Sequence, residues 1–406
     1  MDLQLLLKDG ERVLCRGWRG ANQRVGNAVL IAAPASEYPS PEVLDRLTHE
    51  RGLKDQLEPT WAARPLELRR DGGRVMLLLE DPGGEPLEGL LGAPMDTGVF
   101  LRLAIRIVVV VGKAHERGII HKDVKPGNIL VNCADGGARL TGFGIASRLP
   151  RKHQAPEPLQ FIAGTLAYMS PEQTGRMNRL IDSRSDLYGL GVTFYQMLTG
   201  SLPFSAANPA EWVHCHIARK PTPPAERLKT VPGVLSDIVM KLLAKTPEER
   251  YQTAVGVEHD LRRCRAQWEA VDRIDPHPLG ERDRPDHLMI SEKLYGRERE
   301  VEALLAAFDR TVAGASPELV LVAGQAGVGK SAVTHELHRA LATRRGLFAS
   351  GKFDQLKRDI PYASLAEALA EAIRPLLGKS ETDLAPWRAA LAAALGPNGA
   401  LMTRLV

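Results

Sequence analysis

Apolar residues recur along this chain with two different periods. From Val99 to Arg117, Leu103, Ile107, Val110, Val111 and Ala114 return at helical spacing, which predicts one long buried helix. Val108–Val111 alone has strand propensity, but the flanking pattern assigns it to the helix. Pro41 to Leu57 repeats the helical period with Val43, Leu44 and Leu47 on one side. Shorter, glycine-punctuated stretches read as strands: residues 10–34, Ala62–Arg69, and Arg74–Glu80 after the turn Asp71-Gly72-Gly73. Beyond Pro171 the pattern is mostly helical, over Ser185–Thr199, Ala210–Ala218, Leu235–Ala244 and Val255–Trp268. Ile274–Asp286 carries three prolines among many charges and reads as a linker. After Tyr295 a new amphipathic helix begins, with Val301, Leu304, Leu305 and Phe308 on one face. Leu319–Ala323 is an apolar strand candidate. No internal repeat interrupts this order.

Composition narrows the class without deciding it. A length of 406 residues suits two or three domains. The chain is 44% hydrophobic and 25% charged, as ordinary globular proteins are. Its net charge of +4 is too small to argue for nucleic acid or an acidic membrane as partner. The cysteines Cys15, Cys133, Cys215 and Cys264 are scattered, which fits reduced thiols rather than a disulfide framework. His214-Cys215-His216 looks like metal chemistry, but adjacent helical residues point apart, so helix packing is the better reading. Leu3–Leu7 is too short for a signal peptide, and Ala389–Leu395 is far below a membrane span of about 20 residues. These features predict a cytoplasmic protein with no membrane segment. The chain stops at Val406 without the signs of a finished domain, so the last domain is expected to be incomplete.

The chemistry concentrates in His121-Lys122-Asp123-Val124-Lys125-Pro126-Gly127-Asn128-Ile129-Leu130. Phosphoryl transfer uses such a set: an aspartate to accept a hydroxyl proton, a lysine to neutralise the moving phosphoryl group, and an amide oxygen for Mg²⁺. The stretch resembles the catalytic loop of serine/threonine protein kinases, H-R-D-x-K-P-x-N. The resemblance implies an α+β bilobal kinase fold over residues 1–273, with a small lobe to residue 90 and a large lobe over 91–273, then a linker over 274–294. Tyr168-Met169-Ser170-Pro171-Glu172 is similar to the A-P-E motif, and Asp186 opens the large helix behind it. Arg250 stands where kinases pair an arginine with the A-P-E glutamate, here Glu172. Thr165 matches the threonine that serine/threonine kinases hold near Asp123 and Lys125. Lys122 replaces the usual arginine and offers only a point charge to an activation-loop phosphate.

Other parts of the kinase pattern are missing. The metal-binding D-F-G motif reads Gly142-Phe143-Gly144 after Thr141, without a carboxylate. No lysine occurs between Lys8 and Lys54, so the strand position that should hold the α/β-phosphates is assigned to Ala32. Glu50 matches the helix glutamate that would pair with that lysine, and Arg24 is a weak candidate substitute. Arg16-Gly17-Trp18-Arg19-Gly20 is read as an eroded glycine-rich loop. Losing one preorganised charge commonly costs about 3–4 kcal/mol of transition-state stabilisation. A regulatory pseudokinase with weakened Mg²⁺ binding is therefore expected. The alternative is an active kinase transferring the ATP γ-phosphate to protein hydroxyls, with Asp123 as base.

Gly324-Gln325-Ala326-Gly327-Val328-Gly329-Lys330-Ser331 is a complete G-x-x-x-x-G-K-[ST]. In that pattern Gly324, Gly327 and Gly329 shape a phosphate cradle, Lys330 reaches the β/γ-phosphates and Ser331 ligates Mg²⁺. No apolar strand ending in an acid follows between Phe348 and Val406, so no hydrolytic carboxylate is supplied. Together with Lys293–Glu300 and Ala349–Gln355, this resembles the front of bacterial signalling proteins that join a kinase-like domain, an AAA/STAND-type P-loop ATPase, a GAF sensor and a histidine kinase. The resemblance implies the start of an α/β P-loop domain over 295–406, ATP as ligand, and a protein partner or substrate upstream of two-component signalling.

Overall fold

The computed structural model describes residues 3–18, 28–71, 74–132, 136–148, 165–175, 180–284, 296–314, 316–325, 327–337, 349–351, 353, 362–377 and 381–396. Strands β1 (Leu3–Asp9), β2 (Arg12–Trp18), β3 (Ala28–Pro34), β4 (Pro65–Asp71) and β5 (Arg74–Glu80) form an antiparallel sheet in the order β1-β2-β3-β5-β4. Helix α1 (Pro41–Gly52) crosses between β3 and β4. It starts with proline at its first turn, where a missing N–H costs nothing, and ends earlier than the apolar pattern suggested. The apolar segment Leu3–Leu7 is part of β1.

The large lobe is helical. Helix α2 (Thr97–Glu116) is capped by Asp96, whose side chain accepts from Val99 N at 3.0 Å. Its apolar face is buried as the spacing required, with Phe100, Leu101, Ala104, Ile107, Val108 and Val111 at 2% exposure or less. Packed with it are α3 (Ser183–Thr199), α6 (Gly233–Leu242) and α7 (Ala254–Val271), in one continuous core. Helices α4 (Pro209–Ile217) and α5 (Pro224–Arg227) lie between α3 and α6 in the chain. The short strands β6 (Glu85–Pro86), β8 (Ile129–Asn132) and β9 (Gly137–Leu140) make a second sheet in the order β6-β8-β9. β7 (Ile119–Ile120) pairs with β10 (Ser147–Arg148).

Three readings change. Arg16, Gly17 and Trp18 lie inside β2, and the β1–β2 turn falls at Gly10-Glu11, so the segment over the cleft is a tight hairpin; Arg19 and Gly20 lie outside the described residues. Residues 274–284, read as linker, are fastened to the lobe. The Asp283 carboxylate accepts from Gln252 N (2.7 Å), Thr253 N (2.9 Å) and Thr253 Oγ1 (2.9 Å), and Ile274 is buried.

The third change is in the P-loop region, where Leu319–Ala323 is not a strand and Leu319 and Leu321 are 89% and 85% exposed. An apolar strand of a parallel sheet is held by neighbours on both sides, and among the described residues none pairs with this one. Around it are α8 (Glu298–Val312), with Leu304 and Ala307 buried, and α9 (Lys330–His335). The chain divides into two compact units, Met1–Glu336 and Leu337–Val406. The second contains α10 (Ala363–Leu377) and α11 (Glu381–Leu395).

Candidate active site and nucleotide loop

The large-lobe framework positions the catalytic loop by hydrogen bonds to its backbone. Asp186, at the start of α3, accepts from His121 N (2.8 Å), Lys122 N (2.7 Å) and His115 Nε2 (2.9 Å). Burial pushes its carboxyl pKa up, but the His115 bond and neighbouring charge hold it below the ordinary value. Lys122 takes a left-handed backbone conformation, φ +67°, and burial lowers the pKa of its ammonium. Glu172 and Arg250 form the expected buried pair, bidentate at 2.6 and 2.8 Å, with Ser185 Oγ donating to Glu172 at 2.7 Å. Desolvation works against the Glu172 carboxylate, and the Arg250 charge outweighs it, so its pKa lies below the usual value.

The residues of the catalytic-loop motif converge. Asp123 Oδ1 accepts from Thr165 N at 3.0 Å, and Oδ2 accepts from Asn128 Nδ2 at 2.8 Å. Lys125 Nζ lies 3.6 Å from Asp123 Oδ2 and donates to Thr165 Oγ1. It also donates to Asp9, which projects from the end of β1. Phe143 is fully buried, tilted against His121 at 4.6 Å and edge-on to Trp61 at 6.1 Å. Glu50 on α1 is buried and accepts from Gly142 N at 3.2 Å. Helix α1 is thus docked and the site is assembled.

What stands in the metal and phosphate positions differs from the pattern. Ala32 is fully buried on β3, in register with Leu14 and Leu77 and clustered with Leu47, one turn before Glu50 on α1. The cation near Glu50 is instead Arg12, whose Nη2 lies 3.8 Å from Glu50 Oε1 and 3.3 Å from Thr141 Oγ1. Arg12 Nε is buried without a hydrogen-bond partner. A β-carbon at Gly142 (φ +82°) would fall 2.5 Å from Asn128 Oδ1 and 2.7 Å from Arg12 Nη1. The guanidinium therefore fills the space of the lost carboxylate. Of the oxygens that the motif would offer a metal, Asn128 Oδ1 is present, and the Arg12 guanidinium lies beside the position of the missing one. Sequence reasoning missed Arg12. The available signal was strand alternation, because Arg12, Leu14 and Arg16 share one face of β2, opposite Pro34, Ala32 and Leu30. Arg24 lies outside the described residues.

A cavity of about 310 Å³ opens over this site. Its wall includes Asp9, Arg12, Glu50, Asp123, Lys125 and Asn128.

The sequence matches the protein kinase domain over residues 36–261. The chain belongs to the protein kinase family. An AAA ATPase domain follows this kinase domain and is matched over residues 293–405. The chain is similar to hybrid signal transduction histidine kinase G of Dictyostelium discoideum, 28% identical over 401 residues that cover 77% of this chain and 12% of that protein. It is 35% identical over 210 residues to serine/threonine-protein kinase Pkn1 of Myxococcus xanthus, covering 51% of this chain and 30% of that one. To serine/threonine-protein kinase PknB of Mycobacterium tuberculosis it is 39% identical over 148 residues, 36% of this chain and 23% of that one. The chain therefore spans between 12% and 30% of the length of these relatives.

In the ATPase domain, Gly327 and Gly329 take left-handed backbone conformations, φ +81° and +94°, which a glycine loop supplies without strain. Lys330 Nζ donates to Gly324 O (2.9 Å) and Gln325 O (2.7 Å), so it caps the loop it would share with phosphates. Ser331 follows, exposed, at the start of α9. This donor set fits a nucleotide phosphate and its Mg²⁺. Among the described residues no helix is long and apolar enough to cross a membrane, and no group of three or more His, Cys, Asp or Glu could hold a metal. His216 uses both ring nitrogens in the fold, accepting from Tyr188 Oη at 2.9 Å and donating to Leu166 O at 2.8 Å.

Proposed function

We propose that the kinase domain is a regulatory pseudokinase, fused to a nucleotide-binding P-loop module that acts as the switch of a cytoplasmic, two-component-type signalling protein. One observation carries this reading: Arg12 occupies the space beside Asn128 where the metal-binding carboxylate of a kinase would project from residue 142. Kinases need the strand lysine and the metal-binding aspartate together. Losing each commonly costs about 10²–10³ in rate, though the two losses do not simply add. A kinase turnover of about 1–100 s⁻¹ would fall toward background. The domain keeps the shape of an active kinase and offers it to a protein partner.

The intact geometry of Asp123, Lys125, Asn128 and Thr165 favours the second reading, an active serine/threonine kinase. Transfer of labelled γ-phosphate by the full chain, compared with Asp123→Asn, separates the two. Equal background from both supports the pseudokinase. A clear loss in the variant sinks it.

A further inference from the structure

We propose that the interlobe cleft is stoppered at both ends by this chain's own side chains, with Asp9 as the plug of its phosphate end. The kinase domain then holds its closed form without nucleotide. The inference rests on the pseudokinase reading and adds what the cleft does instead of binding ATP.

In a kinase cleft the γ-phosphate lies by the catalytic-loop lysine, and the α/β-phosphates run back under the β1–β2 hairpin. The base must then fall deeper, between β2–β3 and β8, against the strap of residues 81–85 that joins the lobes. That space is filled. Leu14 (β2), Leu30 (β3) and Leu130 (β8) are at 1% exposure or less and belong to one buried cluster that bridges the lobes. Among the residues lining the cavity, Leu14 is present but none comes from residues 51–122, so the cavity ends before the strap.

Arg16, on the same face of β2 as Leu14, occupies the strap itself. Its Nε donates to Asp81 Oδ2 (2.6 Å), its Nη1 to Glu85 Oε1 (2.9 Å) and its Nη2 to Gly84 O (2.6 Å). Gly84 (φ +82°) is pressed onto β8, where a β-carbon would fall 2.5 Å from Val131 O. Arg16 and Gly84 thus close the strap against β2 and β8, and a second cavity, of about 550 Å³, opens between Leu5–Lys8 of β1 and residues 85–90.

At the phosphate end the Asp9 carboxylate pairs with Lys125, taking the partner role of a phosphate oxygen. Charge closes the argument. Asp9, Glu11, Glu50 and Asp123 on the cavity wall outnumber Arg12, Arg46 and Lys125. ATP brings several negative charges to a site already short of cations, and the carboxylate that would have recruited Mg²⁺ is gone.

The test uses the full chain carrying Lys330→Ala, so that the P-loop is silent. Equilibrium binding of ATP, with and without Mg²⁺, is measured in this background and again with Asp9→Asn plus Leu30→Ala added. No saturable binding is expected in the background, and a gain of at least about tenfold, roughly 1.4 kcal/mol, in the opened variant. Since Leu30→Ala removes core volume, Asp9→Asn alone is probed in parallel with inorganic tripolyphosphate, which needs only the phosphate end. Tripolyphosphate should bind the variant and not its parent. ATP binding to the Lys330→Ala chain that disappears with Lys125→Ala would overturn the proposal. Folded variants that bind no better than the parent would also overturn it. ATP binding without phosphotransfer would defeat the stopper and leave the pseudokinase reading standing, whereas Asp123-dependent transfer would defeat that reading itself.

Discussion

At Gly142 one absent side chain has been replaced by a neighbour rather than by space. Arg12 Nη1 lies 2.7 Å and Asn128 Oδ1 2.5 Å from where a β-carbon would sit, so restoring the carboxylate alone meets a guanidinium and the Asn128 amide. Gly142→Asp is expected to leave phosphotransfer at background and ATP–Mg²⁺ binding unchanged. Transfer that rises by about 10² or more in that variant would show that the carboxylate was the single missing part. The Glu172–Arg250 pair is the opposite case, a complete motif in the interior. Removing one partner strands a buried charge, so Arg250→Met should cost about 3–5 kcal/mol in denaturant melts. Lys245 gives a pH signature. Burial, with Arg250 nearby, lowers its pKa from the ordinary 10.5 to about 7. Between those values the unfolded chain binds the proton and the folded chain does not, so stability rises with pH from about 7 to about 10.5 and is flat below. Lys245→Met should flatten that rise in urea melts at stepped pH. An unchanged slope would place the titration elsewhere.

Elements carry a different kind of information. Helix α2 was legible because its apolar period spans the whole element, and a period integrates many residues. Strand Leu319–Ala323 was misread because β-propensity describes fit to a sheet, and its neighbours decide whether that sheet exists. Gly17 reads as part of an eroded glycine-rich loop, yet it lies inside β2 and the tight turn is at Gly10-Glu11. The segment at 274–284 reads as linker from its prolines and charges, yet Asp283 caps the entry to α7. Asp283→Ala should therefore cost about 1–2 kcal/mol and speed amide exchange in the first turn of α7. A stability change within about 0.5 kcal/mol would return the segment to the linker class.

For the whole molecule, the proposed reading gives nucleotide response to the P-loop rather than to the kinase cleft, so ATP–Mg²⁺ should raise the melting temperature of the full chain and Lys330→Ala should abolish the rise. Ligand at 100 times its Kd stabilises by about 2.7 kcal/mol, which a thermal-shift measurement resolves. A rise that survives Lys330→Ala would assign nucleotide binding to the kinase domain.

The family and the site's inventory were readable in the linear order, because Asp123, Lys125 and Asn128 lie within a few residues of one another. Motifs of that length need no knowledge of packing. The losses at Ala32 and Gly142 were readable for the same reason, as local departures from a local pattern. What filled those losses was not readable. Arg12, Asp9 and Arg16 reach Glu50, Lys125 and Gly84 across 38, 116 and 68 positions of chain, and only the packing of helix α1, the catalytic loop and the strap against β1 and β2 brings them together. Sequence determined which chemical groups the site contains. Tertiary structure decided which of them face one another, because ion pairing and cavity filling depend on distances that spacing along a chain does not set.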